Sequence, residues 1–238
     1  MAGVRETLDR WFPKGSSGRW LLSGFRANPI SFIGPCFRSL AASRRLAGKA
    51  RPISVRVGAG QRLVVNRAST ANVVVEGVID VRSWGGSNAP SSITCGDGAT
   101  LIVAGDFEIG PGVHIEVARN ATLKIGGRRN SSGSGITCDC RIMVERSVEI
   151  GADSIVAWGV SITDSDWHDI EGSTRCEPVS IGEKVWIAHG ATIAKGAVVP
   201  SGCIVGAKSY VSRAEFPEKS LIAGTPATVR RTPVEWSR

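Results

Sequence analysis

From Ile181 the chain places Ile or Val at every sixth residue: Ile181, Ile187, Ile193, Val199, Val205 and Val211. The residue after each of the first five is small or cyclic (Gly182, Ala188, Ala194, Pro200, Gly206). The fifth place of each hexad is compact (Val185, Ala191, Ala197, Cys203, Ser209). Six is neither the period of a helix nor that of a hairpin, so the pattern predicts a solenoid. A short strand covers each aliphatic position, a tight turn follows, and three hexads close one triangular coil of about 18 residues. Aliphatic residues then stack on their counterparts in the next coil, at the ~4.8 Å spacing of neighbouring strands.

Upstream the repeat persists with breaks. Ile150, Val156 and Ile162 keep period six, as do Ile136 and Ile142. A looser signature recurs as Phe107-Glu-Ile-Gly, Leu123-Lys-Ile-Gly, Val148-Glu-Ile-Gly and Val179-Ser-Ile-Gly, and earlier as Val55-Arg-Val-Gly, Leu63-Val-Val and Val73-Val-Val. The expected organisation is a basic arm over residues 1–51, an all-β solenoid over 52–211 with an excursion at 168–178, and a C-terminal extension over 212–238. A uniform 18-residue coil gives roughly nine turns. Gly126–Gly135 is a polar break, either bordering a substrate cleft or decorating a corner.

Composition narrows the field. The 238 residues carry 42% hydrophobic positions, which argues against disorder. The net charge of +8 is uneven: residues 1–50 hold nine Lys/Arg and two Asp/Glu, net +7, whereas 51–211 hold fifteen basic and sixteen acidic residues. With no basic stripe interleaved with aromatics, nucleic acid is not an expected partner. Within the arm, Pro29–Leu40 is apolar and Arg44, Arg45 and Lys49 follow. This suits an amphipathic helix on a protein or membrane surface. Gly34 and Pro35 predict that it is not long and continuous, and Gly15-Ser-Ser-Gly18 reads as a joint. The longest uncharged run near the N-terminus, Ala27–Phe37, is eleven residues, short of the roughly 20 a bilayer span needs. No secretion signal is visible, so the six cysteines are expected to be reduced thiols in a cytoplasm.

The break after Ile162 carries the candidate chemistry. Counting on by six, the next inward position is His168, in Ile162-Thr-Asp-Ser-Asp-Trp-His-Asp-Ile-Glu-Gly. An imidazole flanked by Asp164, Asp166 and Asp169 suits a general base, its ordinary pKa lying near 6.5. The residues alone equally allow a loop histidine capped by aspartates. Cys138-Asp-Cys140 lacks a second Cys/His pair at zinc spacing, so no metal is expected. His114 precedes inward Ile115 and is expected to face solvent.

Four segments carry a resemblance: Ser165-Asp-Trp-His168, Ile181-Gly-x-x-Val-Trp-Ile187, Ile204-Val-Gly-Ala-Lys-Ser209 and Ala223-Gly-Thr-Pro-Ala227. Over about a third of the chain, and in family order, it resembles the hexapeptide-repeat sugar O-acetyltransferases (galactoside, maltose, nodulation-factor and capsule enzymes). It is similar also to the xenobiotic acetyltransferases. The resemblance implies an all-β, left-handed parallel β-helix, a homotrimer with active sites between subunits, acetyl-CoA as co-substrate and a hydroxyl acceptor on a saccharide. By position it implies His168 as base with Asp166 beside it. Trp186 becomes the wall of the site, its other reading being corner packing. Ala188, His189, Ala207, Lys208, Ser212, Arg213 and Arg231 fall along the cofactor. Lys208 stands where relatives have Gly, and either meets phosphate or crowds the groove. His189 either meets cofactor or is solvated. Thr137 or Asp139 replaces an acceptor-binding asparagine, which speaks against a simple free galactoside.

The expectation is therefore a cytoplasmic polysaccharide-modifying O-acetyltransferase, with residues 1–50 available for peripheral membrane contact. The rivals are N-acetylation of a nucleotide-linked amino sugar, inactivation of a hydroxylated antibiotic, and a catalytically silent scaffold.

Overall fold

The computed structural model describes residues 29–48, 53–84, 87–129 and 133–237. The Gly15–Gly18 joint, Lys49, the first part of the basic arm and residues 130–132 of the polar break lie outside them. The remainder is a three-sided parallel β-prism. Among the described residues its first face has nine strands, its second seven and its third six, and successive strands come from successive coils except for the last of the first face.

The hexad aliphatics stack as the spacing requires. On the second face Val65, Ile93, Ile115, Ile142, Ile162, Ile193 and Val211 are paired in register. On the first, Val156, Ile187, Val205 and Ile222 are. On the third, Ile125, Ile150, Ile181 and Val199 are. Alternate residues along each strand are buried, and these ladders form one continuous core down the prism axis. Among the described residues the chain crosses the second face seven times, where a uniform coil predicts roughly nine turns. The N-terminal coils are wider than 18 residues because their strands run to four or five residues, such as Leu63–Arg67 and Ser91–Cys95.

The helix spans Pro29–Ala47 without interruption, with Pro35 inside it. This corrects the expectation of a broken segment. Proline lacks the donor for the carbonyl four residues earlier and its ring crowds that carbonyl, but the carbonyl lies near the helix start and packing offsets the cost. Ser39, Ala42, Ser43 and Leu46 are buried against the first coil. Ser39 Oγ accepts from the Val57 amide (2.8 Å), and Ser43 Oγ accepts from Ser54 (3.1 Å) and Val55 (3.0 Å). The helix thereby covers the open edge of the first strand, Val55–Val57, as a terminal cap of a solenoid must. At the other end Ala227–Arg231 pairs antiparallel with Leu221–Gly224 and closes the first face.

Candidate active site

The excursion leaves the prism where the second face turns into the third. It departs at Asp164, sooner than the hexad count predicts, so His168 stands exposed outside the prism rather than at an inward position. Asp164 is itself 0% exposed. Its carboxylate accepts from the amides of Glu145 (2.8 Å), Arg146 (2.8 Å) and Ser147 (2.6 Å), at the same edge one coil earlier. An ionised acceptor facing three backbone donors is a strong fastening. Beyond it the loop closes on itself as a ribbon: Ser165 bridges Cys176, the Asp166 amide donates to the Arg175 carbonyl (3.0 Å), and the Glu177 amide donates to Asp164 (2.8 Å). Trp167 adopts the left-handed conformation (φ 61°). It is held by donation from its amide to Ser165 Oγ (2.9 Å) and from Nε1 to Thr163 Oγ1 (3.1 Å).

None of the three neighbouring aspartates is spent on the imidazole. Asp164 fastens backbone, Asp166 pairs with Lys195, and Asp169 lies 3.8 Å from Arg175. Among the described residues no hydrogen bond or ion pair reaches His168. Ser212 and Arg213 lie at this same edge, after the last strand of the second face, and Arg213 pairs with Glu177 at the returning end of the loop.

A second group of candidates runs down a different edge, where the first face turns into the second. The turns Thr137-Cys138-Asp139, Ala157-Trp158-Gly159, Ala188-His189-Gly190 and Gly206-Ala207-Lys208 stack there. They are joined by donation from Gly159 to Cys138 (3.0 Å), Gly190 to Trp158 (2.9 Å) and Lys208 to His189 (2.9 Å). The third place of each turn is left-handed, with φ of 52° at Asp139, 69° at Gly159, 66° at Gly190 and 56° at Lys208. Asp139 and Lys208 therefore occupy a conformation that favours glycine. Between them the indole of Trp158, 56% exposed, stacks on His189 with ring centroids 5.1 Å apart and planes 9° apart. Ala188 is buried. Thr137 Oγ1 is also buried, with no hydrogen-bond partner among the described residues.

Trp186 projects from the first face, 40% exposed, and meets Trp236 of the C-terminal segment at 6.2 Å. The Trp236 indole donates to the Lys184 carbonyl (3.0 Å). Beside them a cavity of about 640 Å³ is lined by Ile204, Lys219, Leu221, Arg231, Pro233 and Val234, among others. His114, as expected, is exposed, and shares a hydrogen bond with Ser92 (2.8 Å). Burial pushes the Cys140 thiol up to about 11, and its Sγ donates to the Ala157 carbonyl (3.0 Å).

Along the chain the candidates thus fall into three places. Asp166, His168, Ser212 and Arg213 share one edge; Thr137, Asp139, Ala188, His189, Ala207 and Lys208 share another; Trp186 and Arg231 lie by the first face. Sequence reasoning passed over Glu145, Lys195, Trp158 and Trp236. For Trp158 a signal existed, since Ala157-Trp-Gly and Ala188-His-Gly are aligned triplets. For Glu145 and Lys195 none did, because polar residues at outward hexad places are ordinary.

No protein-family model and no curated protein matches the chain. Among solved structures it is similar to the polysialic acid O-acetyltransferase OatWY, with 19% identity over 75% of this chain and 90% of that one, and a TM-score of 0.45. It is similar to the polySia-specific acetyltransferase NeuO, with 24% identity over 78% and 89%, and a TM-score of 0.42. A third is a mutant of the N-acyltransferase AntD from Bacillus cereus, in complex with dTDP and coenzyme A, with 18% identity over 73% and 84%, and a TM-score of 0.28.

Proposed function

We propose that the protein is an acetyl-CoA-dependent O-acetyltransferase of a saccharide hydroxyl, working as a homotrimer in which the loop of one subunit faces the Thr137–Lys208 edge of the next. The observation that carries the reading is the division of the candidates. An exposed histidine on a strapped loop stands on one edge of the prism, while small residues and the Lys208 cation, suited to a pantetheine-phosphate chain, line another. Two such edges complete one site only when neighbouring subunits meet.

The second edge suits the co-substrate chemically. Ala188, Gly159, Gly190 and Ala207 leave room for a slender chain to approach backbone, and the Lys208 cation there, like Arg231 by the first face, suits phosphate. The His168 imidazole accepts the proton of the acceptor hydroxyl as its oxygen attacks the thioester carbonyl. The tetrahedral species then expels CoA as thiolate, which takes the proton back from the imidazolium. No acyl-enzyme is needed, so no Ser or Cys nucleophile takes part. Trp186 and Trp158 wall the space with apolar surface, the latter suited to stacking on a sugar ring. Thr137 Oγ1 and Asp139 offer hydrogen-bonding partners to its hydroxyls.

The helix Pro29–Ala47 supports a place at the inner surface of a membrane. Its outward side exposes Ile33, Phe37 (69%), Arg38, Arg44 and Arg45. Among the described residues no helix is long and apolar enough to cross a bilayer.

The test is CoA release from acetyl-CoA with a panel of sugars, nucleotide sugars and polysaccharide fragments, for wild type and His168→Ala. Acceptor-dependent release falling by about 100-fold or more in the variant is expected. Equal rates would remove His168 as base. Turnover restricted to nucleotide-linked amino sugars would replace O- by N-acetylation.

A further inference from the structure

The loop that presents His168 is tied from both sides by side chains that belong to other coils. From the coil after it, the Lys195 ammonium reaches both limbs. It pairs with Asp166 on the outgoing limb, and donates to Ser173 Oγ (3.0 Å) and the Thr174 carbonyl (2.5 Å) on the returning limb. An ammonium has three donors, and all three are spent here. From the coil before it, the Glu145 carboxylate does the same with opposite charge. It accepts from Ser165 Oγ on the outgoing limb and pairs with Arg175 on the returning limb (2.6 Å). Between the two ties lies Trp167, a bulky residue in the left-handed region. Such a conformation persists only where its surroundings over-determine it. His168 is the next residue, and takes its direction from that turn.

We propose that Lys195 and Glu145 are positioning residues for His168: each bridges the two limbs of the loop, so the imidazole is presented in one place although none of the described side chains holds it directly. Asp166 then serves as the anchor of Lys195, and its contribution to His168 runs through that pair. The proposal rests on the acetyltransferase reading for its kinetic consequence, but its structural consequence is measurable without turnover.

The chain has three histidines, so the C2–H resonances of a labelled protein give three signals, assigned by His168→Ala. The variants are Lys195→Ala, Lys195→Arg and Glu145→Gln in the full chain. In Lys195→Ala and Glu145→Gln only the His168 signal is expected to change shift or linewidth, while His114 and His189 keep theirs. Amide exchange over 164–178 is expected to accelerate at least 10-fold, with the strands Ser161–Thr163 and Val179–Ile181 unchanged. In the CoA-release assay kcat is expected to fall about 10- to 100-fold with KM for acetyl-CoA within about twofold. Lys195→Arg, which keeps the charge and the donors, is expected to restore most of both. An unmoved His168 signal with unchanged exchange in both variants overturns the proposal, as does equal movement of all three histidines, which marks general unfolding. A loosened loop with wild-type kcat also overturns it. Loss of the acetyltransferase reading is recognised separately, because there His168→Ala leaves CoA release unchanged while the spectroscopic effect of Lys195→Ala remains.

Discussion

Replacing Asp164 by Asn keeps the shape of a wholly buried side chain and removes its charge. In the native structure one carboxylate oxygen takes the Glu145 amide, and the other takes those of Arg146 and Ser147. An asparagine has one acceptor oxygen, and its amino group turns donors toward a donor. In the better orientation it keeps Arg146 and Ser147 and leaves the Glu145 amide unpaired, at about 1–3 kcal/mol. The two retained bonds lose their ionic strengthening, about 1 kcal/mol each. The expected loss is about 3–5 kcal/mol, a large part of a typical stability of about 5–15 kcal/mol. For a chain of this length that lowers the thermal midpoint by roughly 6–20 °C, at ~2–4 °C per kcal/mol. The assay is thermal unfolding followed by far-ultraviolet circular dichroism, with amide exchange read at 145–147. Asp169→Asn is the control: its exposed side chain lies 3.8 Å from Arg175 and its loss is expected to cost under about 0.5 kcal/mol. A midpoint within 2 °C of wild type, with those amides still protected, would refute the assignment of the buried carboxylate as the fastening of the loop's root.

Other expectations are simpler. A Cβ at Gly110 would lie 1.5 Å from the Thr137 carbonyl oxygen, so Gly110→Ala must push two coils apart and is expected to cost more than about 4 kcal/mol or yield insoluble protein. At Gly172, where φ is 75° and nothing lies within 4 Å, the same change meets only the left-handed backbone cost of about 1–2 kcal/mol; equal melting of the two variants would refute the coil-spacing argument. Phe37→Glu with Ile33→Glu is expected to abolish co-sedimentation with vesicles containing anionic phosphatidylglycerol and to leave solubility intact. Binding that survives both changes would dismiss the helix as a membrane contact.

The inward half of the structure was legible in the sequence, and the reason is physical. In a solenoid each coil touches only its neighbours, so a period of six places every inward aliphatic on the next one without help from distant residues. Ile187 on Val205 and Ile193 on Val211 follow from counting alone. The outward half was not legible. Coil lengths vary, so outward charges that meet are separated by irregular distances along the chain: 29 residues for Lys195 and Asp166, 30 for Arg175 and Glu145. A period says that such residues point away from the core, not which of them adjoin. The same limit hid the departure at Asp164. The count runs unbroken to Ile162, and three amides at the previous coil hold Asp164 inward just after it, beyond which the chain leaves the prism and His168 stands outside. Pro35 sits inside a continuous helix for a related reason, because propensity describes an isolated helix, whereas Ser39 and Ser43 tie this one to the first strand. The aliphatic period determined that the chain is a stacked prism and where its loop departs to within a few residues. Tertiary packing decided which charges hold the loop, and on which edge each candidate residue stands.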